Sequence, residues 1–376
     1  MRVIRWSGLA LLLLACGEGE PAAAPPASPP PPSTPPPIAP SRPLSEAAAF
    51  ALVPAGEGAL LTWAASTGVR ALPLDPLGSP AGPELTLAPG SDAVVELDAS
   101  SAGRRLALAW VIDRGELLEV KASYSLDGGR SFAAAEQLGP TVRAHGARGR
   151  LDMSAQDGGA LVLYHRIPEG PCMSSAGTCA RIARTAIGEG TALERTDPLE
   201  VQHPCDPLVS GALWHDGTSY HAVCHADPEP STLVYAIRPA LQYAVPVDMP
   251  AGCTPLGIAP LDVGVAVVTR CGDRLVATHL DAMGRELARF SPVERSVACE
   301  EGRPALTIGS GGGGPRLHLE GAREELEALL PESIAPSGAR AIWTGEALLV
   351  AGVQRGELSL RRYQCAGETF ARTDVR

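Results

Sequence analysis

The sequence has little positive charge. Its 376 residues hold 31 Lys and Arg against 42 Asp and Glu, so the formal net charge is −11, and Lys121 is its one lysine. A protein that binds nucleic acid by releasing phosphate counterions needs a basic face, so this balance argues against a nucleic-acid partner. A Gly-x-Ser-x-Gly serine elbow is absent as well, which removes one common hydrolase signature.

The sequence also lacks long helical patterns. Between Ser45 and Arg376 no long stretch repeats its apolar residues with a period of 3.6, and the 41 Gly and 36 Pro weaken helix interiors. Short apolar or alternating runs are instead cut by Gly, Pro and Asp, which predicts an all-β protein. With 45% hydrophobic and 19% charged residues, the chain can bury a sizeable core.

The N-terminus has the layout of an export signal. Arg2 and Arg5 precede an apolar run, Leu9 to Ala15, that is too short to span a bilayer. The run Leu13-Leu14-Ala15-Cys16-Gly17 resembles the lipobox of bacterial lipoproteins, which implies a signal peptide at 1–15 and acylation, including palmitate, at Cys16. The alternative is an ordinary secretory peptide with a chance cysteine. We therefore expect an exported protein anchored by lipid to a bacterial outer membrane, on its periplasmic face or on the cell surface.

A Pro-rich segment follows the cysteine. Residues 16–45 include runs such as Pro29–Pro32 and Pro35–Pro37. Proline fixes φ and removes an amide donor, so we expect a disordered tether rich in polyproline II, at about 3.1 Å per residue. The alternative is a ligand for aromatic-lined modules, but beside a lipid anchor a spacer is favoured.

The rest of the chain, 46–376, repeats. Seven apolar runs recur in these 331 residues, so that one unit averages about 47 residues, the size of a four-stranded propeller blade. Nearly continuous apolar character predicts that each run is the innermost or second strand of a blade, buried on both faces. The runs are Gly58–Trp63, Arg105–Trp110, Ala160–His165, Ser219–Cys224, Val265–Cys271, Arg316–Glu320 and Ala347–Gly352.

We therefore predict a β-propeller of six or seven four-stranded blades. The last spacing is short, so either the strand near Ala47–Val53 completes the final blade and closes the ring, or there are six blades.

The spacing of the cysteines also repeats along the chain. Cys205-Asp-Pro-Leu208 recurs as Cys253-Thr-Pro-Leu256, and the runs that follow end in Cys224 and Cys271. A third copy begins at Cys299 but lacks a second cysteine at the matching place. In an oxidising compartment thiols pair, and although eight cysteines permit many connectivities, locality and the repeat favour one. The predicted disulfides are Cys205–Cys224, Cys253–Cys271, Cys299–Cys365 and Cys172–Cys179.

One eight-residue segment indicates the kind of propeller. Ser125-Leu-Asp-Gly-Gly-Arg-Ser-Phe132 resembles the Asp-box of sialidase-type propellers, with matches at Ser125, Asp127, Gly129, Ser131 and Phe132. We expect a hairpin between outer strands in which the aspartate accepts turn amides, the glycines take positive φ and the phenylalanine packs beneath. The motif's role in that family is structural. Weaker turns of this kind occur at Asp216-Gly217 and at Asp281 to Gly284.

A second segment resembles part of a sialidase site. His165-Arg166-Ile167-Pro168 contains the Arg-Ile-Pro motif whose arginine, in that family, clamps the substrate carboxylate. Here the motif follows the Asp-box instead of preceding it, and the other arginines, the Tyr-Glu pair and the acid have no assignable counterparts. Arg166 is therefore a weak ligand candidate at a blade end, and we assign no catalytic residue.

Two further patterns carry no site. His221, Cys224 and His225 have metal-like spacing, but strand alternation puts His221 and Cys224 on opposite faces and the thiol is expected to be oxidised. Gly309 to Gly314 contains a formal GxGxxG, yet Pro315 and a strand-like run follow where a helix is needed to bind pyrophosphate. We predict no metal and no cofactor.

Three functions fit these observations. The favoured one is a non-enzymatic binding or interaction module for an unknown protein or glycan ligand. The alternative is a divergent sialidase-type glycoside hydrolase, which demands convergent carboxylates and arginines at the propeller mouth. A scaffold without a dedicated ligand predicts a mouth filled by apolar or loop residues.

Overall fold

The computed structural model consists of β-strands throughout its described part. It describes residues 49–373 with gaps, the largest at 142–150, 167–178, 201–211, 310–315, 319–329 and 332–338, and between 139 and 252 it describes only strand backbones. The predicted signal peptide, Cys16 and the whole Pro-rich segment lie outside the described residues. Within the described part, no helix is long and apolar enough to cross a membrane.

The described strands form seven antiparallel sheets, numbered here in chain order. Sheet 1 contains β1 (Phe50–Ala55), β2 (Gly58–Ala65), β3 (Gly68–Leu74) and β4 (Leu85–Pro89). Sheet 2 contains β5 (Ala93–Ala102), β6 (Arg105–Asp113), β7 (Leu118–Ser125) and β8 (Glu136–Thr141). Sheet 3 contains β9 (Leu151–Gln156), β10 (Gly159–Arg166), β11 (Cys179–Ile187), β12 (Leu193–Arg195) and β13 (Leu199–Glu200). Sheet 4 contains β14 (Ala212–His215), β15 (Tyr220–Ala226), β16 (Ser231–Ile237) and β17 (Gln242–Val247).

Sheets 5 to 7 complete the list. Sheet 5 contains β18 (Cys253–Pro260), β19 (Val265–Cys271), β20 (Arg274–Leu280) and β21 (Glu286–Phe290). Sheet 6 contains β22 (Arg295–Glu300), β23 (Arg303–Ile308) and β24 (Arg316–His318), and sheet 7 contains β25 (Arg340–Trp343), β26 (Leu348–Gln354), β27 (Glu357–Ala366) and β28 (Thr369–Thr373).

The second strands whose side chains are described are largely buried, and β6 shows that both faces are covered. Along β6, Leu108 and Trp110 pack toward sheet 1, whereas Ala107, Ala109 and Val111 join a separate apolar cluster on the opposite face. Successive side chains of a strand point to opposite faces, so an unbroken apolar run can fill two interfaces at once. Burying each large apolar side chain contributes roughly 1.5–3 kcal/mol, and these interfaces therefore hold the sheets together.

The sheets are arranged as a propeller. The first strand of sheet 1, β1, packs against β5 of sheet 2 and against β25 of sheet 7, and β5, β9, β14 and β18 follow one another in the same way. Sheet 1 is thus seated between the second sheet and the last one. Its residues Leu61 and Trp63 share one apolar cluster with Ile342 and Leu349 of sheet 7.

Two details of the expected repeat are wrong. The run Arg316–Glu320 contains β24, the third strand of sheet 6, whereas the second strand is β23. An alternating apolar run is common to second and third strands, so the pattern alone did not distinguish them. The strand near Ala47–Val53 does not complete the final blade, because β1 pairs with β2 and sheet 7 takes all four of its strands from the C-terminal part of the chain.

Candidate functional site

The antiparallel order gives the sheets two different ends. Connections between first and second strands, and between third and fourth strands, lie at one end, which we call the turn face. Connections between second and third strands, and from one sheet to the next, lie at the other end, the loop face. Predicted site residues near the ends of described strands can be assigned to one of these faces.

The Asp-box segment forms the turn between β7 and β8, on the turn face. Asp127 Oδ1 accepts hydrogen bonds from the amides of Arg130 and Ser131, both at 3.0 Å, and from Ser125 Oγ at 2.8 Å, while Ser131 Oγ donates to Oδ2 at 2.6 Å. Ser125 Oγ in turn accepts the amide of Gly129 at 2.9 Å. The side chain of Asp127 therefore closes the turn, and both of its carboxylate oxygens accept hydrogen bonds from within that turn.

Glycine and phenylalanine complete this turn as the motif predicts. Gly128 and Gly129 have φ values of 78° and 83°, a region that L side chains rarely adopt. Phe132 is half-buried and packs against the apolar cluster between sheets 1 and 2. The segment thus has a structural role.

The hydrogen bonds of this turn favour the charged aspartate. Burial raises the pKa of Asp127, but the bonds from Ser131, Ser125 and the amide of Arg130 outweigh burial, so the pKa lies below the usual 3.8. A carboxylate whose pKa is lowered on folding stabilises the folded state above its unfolded pKa. That stabilisation is lost as the pH falls through the folded-state pKa.

We expect Asp127→Asn to lower the free energy of unfolding by about 1–2 kcal/mol at neutral pH, because an amide cannot replace a charged acceptor of four donors. The difference from the wild type should begin to shrink below about pH 4, the unfolded-state pKa, and should be lost as the pH falls through the lower folded-state pKa, where the folded carboxyl also becomes neutral. Urea unfolding at neutral pH and at successively lower pH measures both the loss of stability and its dependence on pH. Asp273→Asn, at an exposed position in the turn between β19 and β20, is the matched control and should change little. A difference that stays constant with pH would contradict this account.

The same kind of turn recurs between the third and fourth strands of two other sheets. Asp75 Oδ1 accepts the amides of Leu77 and Ser79 at 2.9 and 2.8 Å, and Asp281 Oδ1 accepts the amide of Arg285 at 2.9 Å. In both turns the glycine three positions on donates its amide to the aspartate carbonyl at 2.9 Å. Asp281 was expected, whereas Asp75 was missed, although its Asp-x-x-Gly spacing equals that of Asp281 to Gly284. The pair Asp216-Gly217 lies outside the described residues.

The turns of sheets 1 and 2 also pack against the neighbouring sheet. A Cβ on Gly129 of sheet 2 would meet Leu60 of sheet 1 at 3.0 Å, and a Cβ on Gly78 of sheet 1 would meet Leu349 of sheet 7 at 2.8 Å. In each case a turn glycine rests on the second strand of the preceding sheet. Sheet 1 therefore packs against sheet 7 in the same way as sheet 2 packs against sheet 1.

Polar contacts reinforce the junction of the first and last sheets. Thr344 Oγ1 donates to the carbonyl of Pro76 at 2.7 Å, and Arg362 Nη1 donates to the carbonyl of Leu77 at 3.3 Å. Both acceptors lie in the Asp75 turn. The turn face in this region is occupied by contacts between sheets.

The loop face carries the weak ligand candidate Arg166. Arg166 is the last residue of β10 and is registered opposite Cys179, the first residue of β11, with the twelve residues 167–178 between them. Ile167 and Pro168 lie outside the described residues, as do the side chain of Arg166 and its surroundings, so the arginine cluster that a sialidase needs stays a prediction. A charged group also lies here: Glu119 Oε2 is 3.0 Å from Arg114 Nη2 and 4.0 Å from the nitrogen of Lys121.

Two disulfides are present among the described residues, Cys253–Cys271 and Cys299–Cys365, and both are pairings that the sequence predicted. The first joins the start of β18 to the end of β19, on the loop face. Cys172 and Cys205 lie outside the described residues, and only the backbone is described for Cys179 and Cys224, so their pairings stay predictions.

In the part of the chain that the structure describes, no three His, Cys, Asp or Glu side chains come together in a way that could hold a metal ion. His221, Cys224 and His225 lie on β15, but their side chains are outside the description. The segment Gly309 to Gly314 connects β23 to β24, two strands, and beyond Gly309 it is not described.

The repeated sheets, their common seating and their two faces define the class of protein: a β-propeller. No family model matches the chain, and no curated protein matches it in sequence. Among solved structures, a prolyl endopeptidase is 12% identical with a TM-score of 0.50 over 88% of this chain. The match spans 50% of the prolyl endopeptidase. At this identity the likeness concerns the fold.

Two other solved structures are less similar. A putative 6-phosphogluconolactonase from Bacteroides uniformis is 12% identical with a TM-score of 0.45, covering 86% of this chain and 94% of that one. A sialidase from Trypanosoma rangeli is 9% identical with a TM-score of 0.40, covering 88% of this chain and 59% of that one. Nothing about the chemistry of this chain is inferred from them.

Proposed function

We propose that this protein is an exported lipoprotein, anchored to a bacterial outer membrane through Cys16, whose propeller binds a protein or glycan ligand. The anchor rests on the Leu-Leu-Ala-Cys-Gly run at the end of the apolar segment. Several acyl chains at one cysteine make anchoring effectively permanent, whereas a single chain gives reversible binding. The Pro-rich segment would then act as the spacer between membrane and propeller.

The observation that carries the binding role is the difference between the two faces. On the turn face, the turns of Asp75 and Asp127 close on themselves and rest on neighbouring sheets. On the loop face, twelve residues connect β10 to β11, and their ends are Arg166 and Cys179. Long connections on a rigid scaffold are where binding residues are usually found, so we propose the loop face as the binding face.

We further propose seven blades. The support is the set of seven sheets and the seating of sheet 1 between sheets 2 and 7. A ring of this kind closes through side-chain packing and turn contacts, without a strand exchanged between the ends of the chain.

The second candidate is a divergent sialidase-type glycoside hydrolase. The observation in its favour is the position of Arg166 at a strand end on the loop face, next to Ile167-Pro168 in the sequence. Hydrolysis would also require two carboxylates beside the bound sugar. Cleavage of a fluorogenic sialoside separates this candidate from the binding module.

The test compares one arginine on each face in a soluble Cys16→Ala protein. Arg166→Ala on the loop face should reduce binding to a glycan array at least about tenfold, since one charge-assisted contact contributes about 1.5–3 kcal/mol. Arg104→Ala, in the exposed turn between β5 and β6, is the matched control and should bind as the parent protein does. A photo-crosslinking residue at position 166 or 104 extends the comparison to protein ligands. Equal effects at both positions would contradict the assignment of the face.

The anchor is checked in the same strains. Radiolabelled palmitate should enter the wild-type chain and be absent from Cys16→Ala. Label that persists in the variant would refute lipidation at this cysteine while leaving the binding comparison intact.

A further inference from the structure

The two disulfides of the described part join very different partners. Cys253 and Cys271 face each other in the register of β18 and β19, with Cα atoms 4.2 Å apart, so backbone pairing already holds these strands together. Cys299 lies on β22 of sheet 6 and Cys365 on β27 of sheet 7, with Cα atoms 5.7 Å apart and 66 residues between them in sequence. This second bond joins two sheets that share no strand pairing in the described part.

The strand that carries Cys299 is less enclosed than the first strand of sheet 1. In β1, Ala51, Leu52 and Val53 are all buried between neighbouring sheets. In β22, Ser296 and Ala298 are exposed, and Cys299 is the buried residue of the strand. The bond therefore attaches β22 to its neighbour at the point where the strand is enclosed.

The neighbouring contacts place this bond at the rim of the core. β22 packs beside β28, the outer strand of sheet 7. Phe370 of β28 stacks on Tyr363 of β27 with ring centroids 5.4 Å apart, and together with Val297 it borders the cluster formed by Leu306 and Ile308. The core of the junction lies under β23, so β22 can move without dismantling that core.

The bond is also reachable from solvent. Cys299 is 8% exposed, but Cys365 is only half-buried, and the next residue, Ala366, is exposed. Both cysteines lie near the ends of their strands on the turn face, where β27 turns into β28. A small thiol can therefore approach the sulfur of Cys365 more easily than that of Cys299.

We propose that Cys299–Cys365 is a redox-operated clasp: a dithiol reductant releases β22 from sheet 7 while the other described sheets stay folded. One thiolate of the dithiol attacks the sulfur of Cys365, forms a mixed disulfide and expels the thiolate of Cys299. The second thiol of the reductant then displaces Cys365, and the reductant leaves as its own disulfide. Two electrons and two protons pass to the cysteine pair.

The proposal is tested by hydrogen exchange on the full-length protein. The double variant Cys299→Ser/Cys365→Ser removes the clasp without leaving a single thiol, and Cys253→Ser/Cys271→Ser is the matched control within one sheet. Amides of β22 and β28 should exchange at least about tenfold faster in the clasp variant, because loss of a disulfide commonly costs several times the energy of a tenfold change. Those of β1 and β6 should be unchanged, and the control should leave β22 and β28 at the wild-type rate.

A second measurement tests the proposal on the wild-type protein, in case the double variant does not fold. Folded wild-type protein is treated with dithiothreitol without denaturant, and the freed thiols are alkylated and located by peptide mass spectrometry. The clasp predicts alkylated Cys299 and Cys365, faster exchange in β22 and β28, and recovery of the slow rate on reoxidation when the alkylating agent is omitted. Unchanged exchange after the bond is cut, resistance to the reductant, or acceleration in all strands together would each overturn the proposal.

Discussion

Gly58→Ala should lower the free energy of unfolding by about 3 kcal/mol or more, among the largest effects of any single methyl group in this protein. A Cβ on Gly58 would lie 2.1 Å from the carbonyl oxygen of Leu74 and 2.9 Å from the carbonyl carbon of Asp75. Both atoms are backbone, so the contact can be relieved only by moving β2 away from β3. The φ of this glycine is not in the left-handed region, and the whole effect is therefore steric.

The matched control is Gly82→Ala. The nearest atom to a Cβ there is Cγ of Pro73 at 3.8 Å, an ordinary contact, so we expect a change within about 0.5 kcal/mol. Chemical unfolding of both variants measures the difference. Similar stabilities for the two variants would show that β2 and β3 tolerate separation at the turn face.

This close approach belongs to the repeat. In sheet 5 a Cβ on Gly264 would lie 1.9 Å from the carbonyl oxygen of Leu280, just before Asp281, as Gly58 approaches Leu74 just before Asp75. The glycine before or at the start of the second strand thus admits the carbonyl that leads into the aspartate turn. The two sheets share this arrangement although their sequences around it differ.

Trp110→Ala should cost about 3–5 kcal/mol, because it empties the largest fully buried side chain of the described core. Trp110 has no solvent exposure and belongs to the cluster that joins β6 to Ala51, Val53 and Leu60 of sheet 1. The cavity would lie at the junction of two sheets. Thermal and urea unfolding would both report the loss.

Trp110→Phe separates packing from hydrogen bonding. Within the described residues, Nε1 of Trp110 has no hydrogen-bond partner, so phenylalanine removes an unsatisfied buried donor together with part of the ring. We expect the loss to be less than half that of Trp110→Ala. Equal losses in the two variants would mean that the indole N–H is satisfied in solution, for instance by a buried water.

Much of the local structure could be predicted from the residues themselves. The run Arg105–Trp110 is apolar at every position after the first, and it is the buried second strand β6, because only a strand enclosed on both sides accepts such a sequence. Ser125 to Phe132 forms an aspartate turn because its donors and acceptor are neighbours in sequence. Local chemistry of this kind needs no knowledge of distant contacts.

Other features could not be read in this way. Asp75 was missed although Asp75 to Gly78 has the same Asp-x-x-Gly spacing as Asp281 to Gly284, and its carboxylate also accepts amides of its own turn. The second strand of sheet 6 was passed over in favour of β24, because β23 begins with Arg303-Pro304 and a proline weakens a strand pattern. The cysteine repeat suggested that Cys299 begins a blade as Cys253 does, yet Cys299 lies near the end of its strand, although its predicted partner is correct.

The sequence by itself determined that this protein is all-β, that apolar runs such as Arg105–Trp110 are strands buried on two faces, and that Asp127 closes a turn. These properties follow from hydrophobic period and from bonds within a few residues. Only the tertiary structure decided that sheet 1 packs against sheet 7 through Gly78 and Thr344. An apolar face shows that a strand must pack against another apolar surface, but it does not specify which one. The hydrophobic effect is non-directional, so many partners would satisfy it equally.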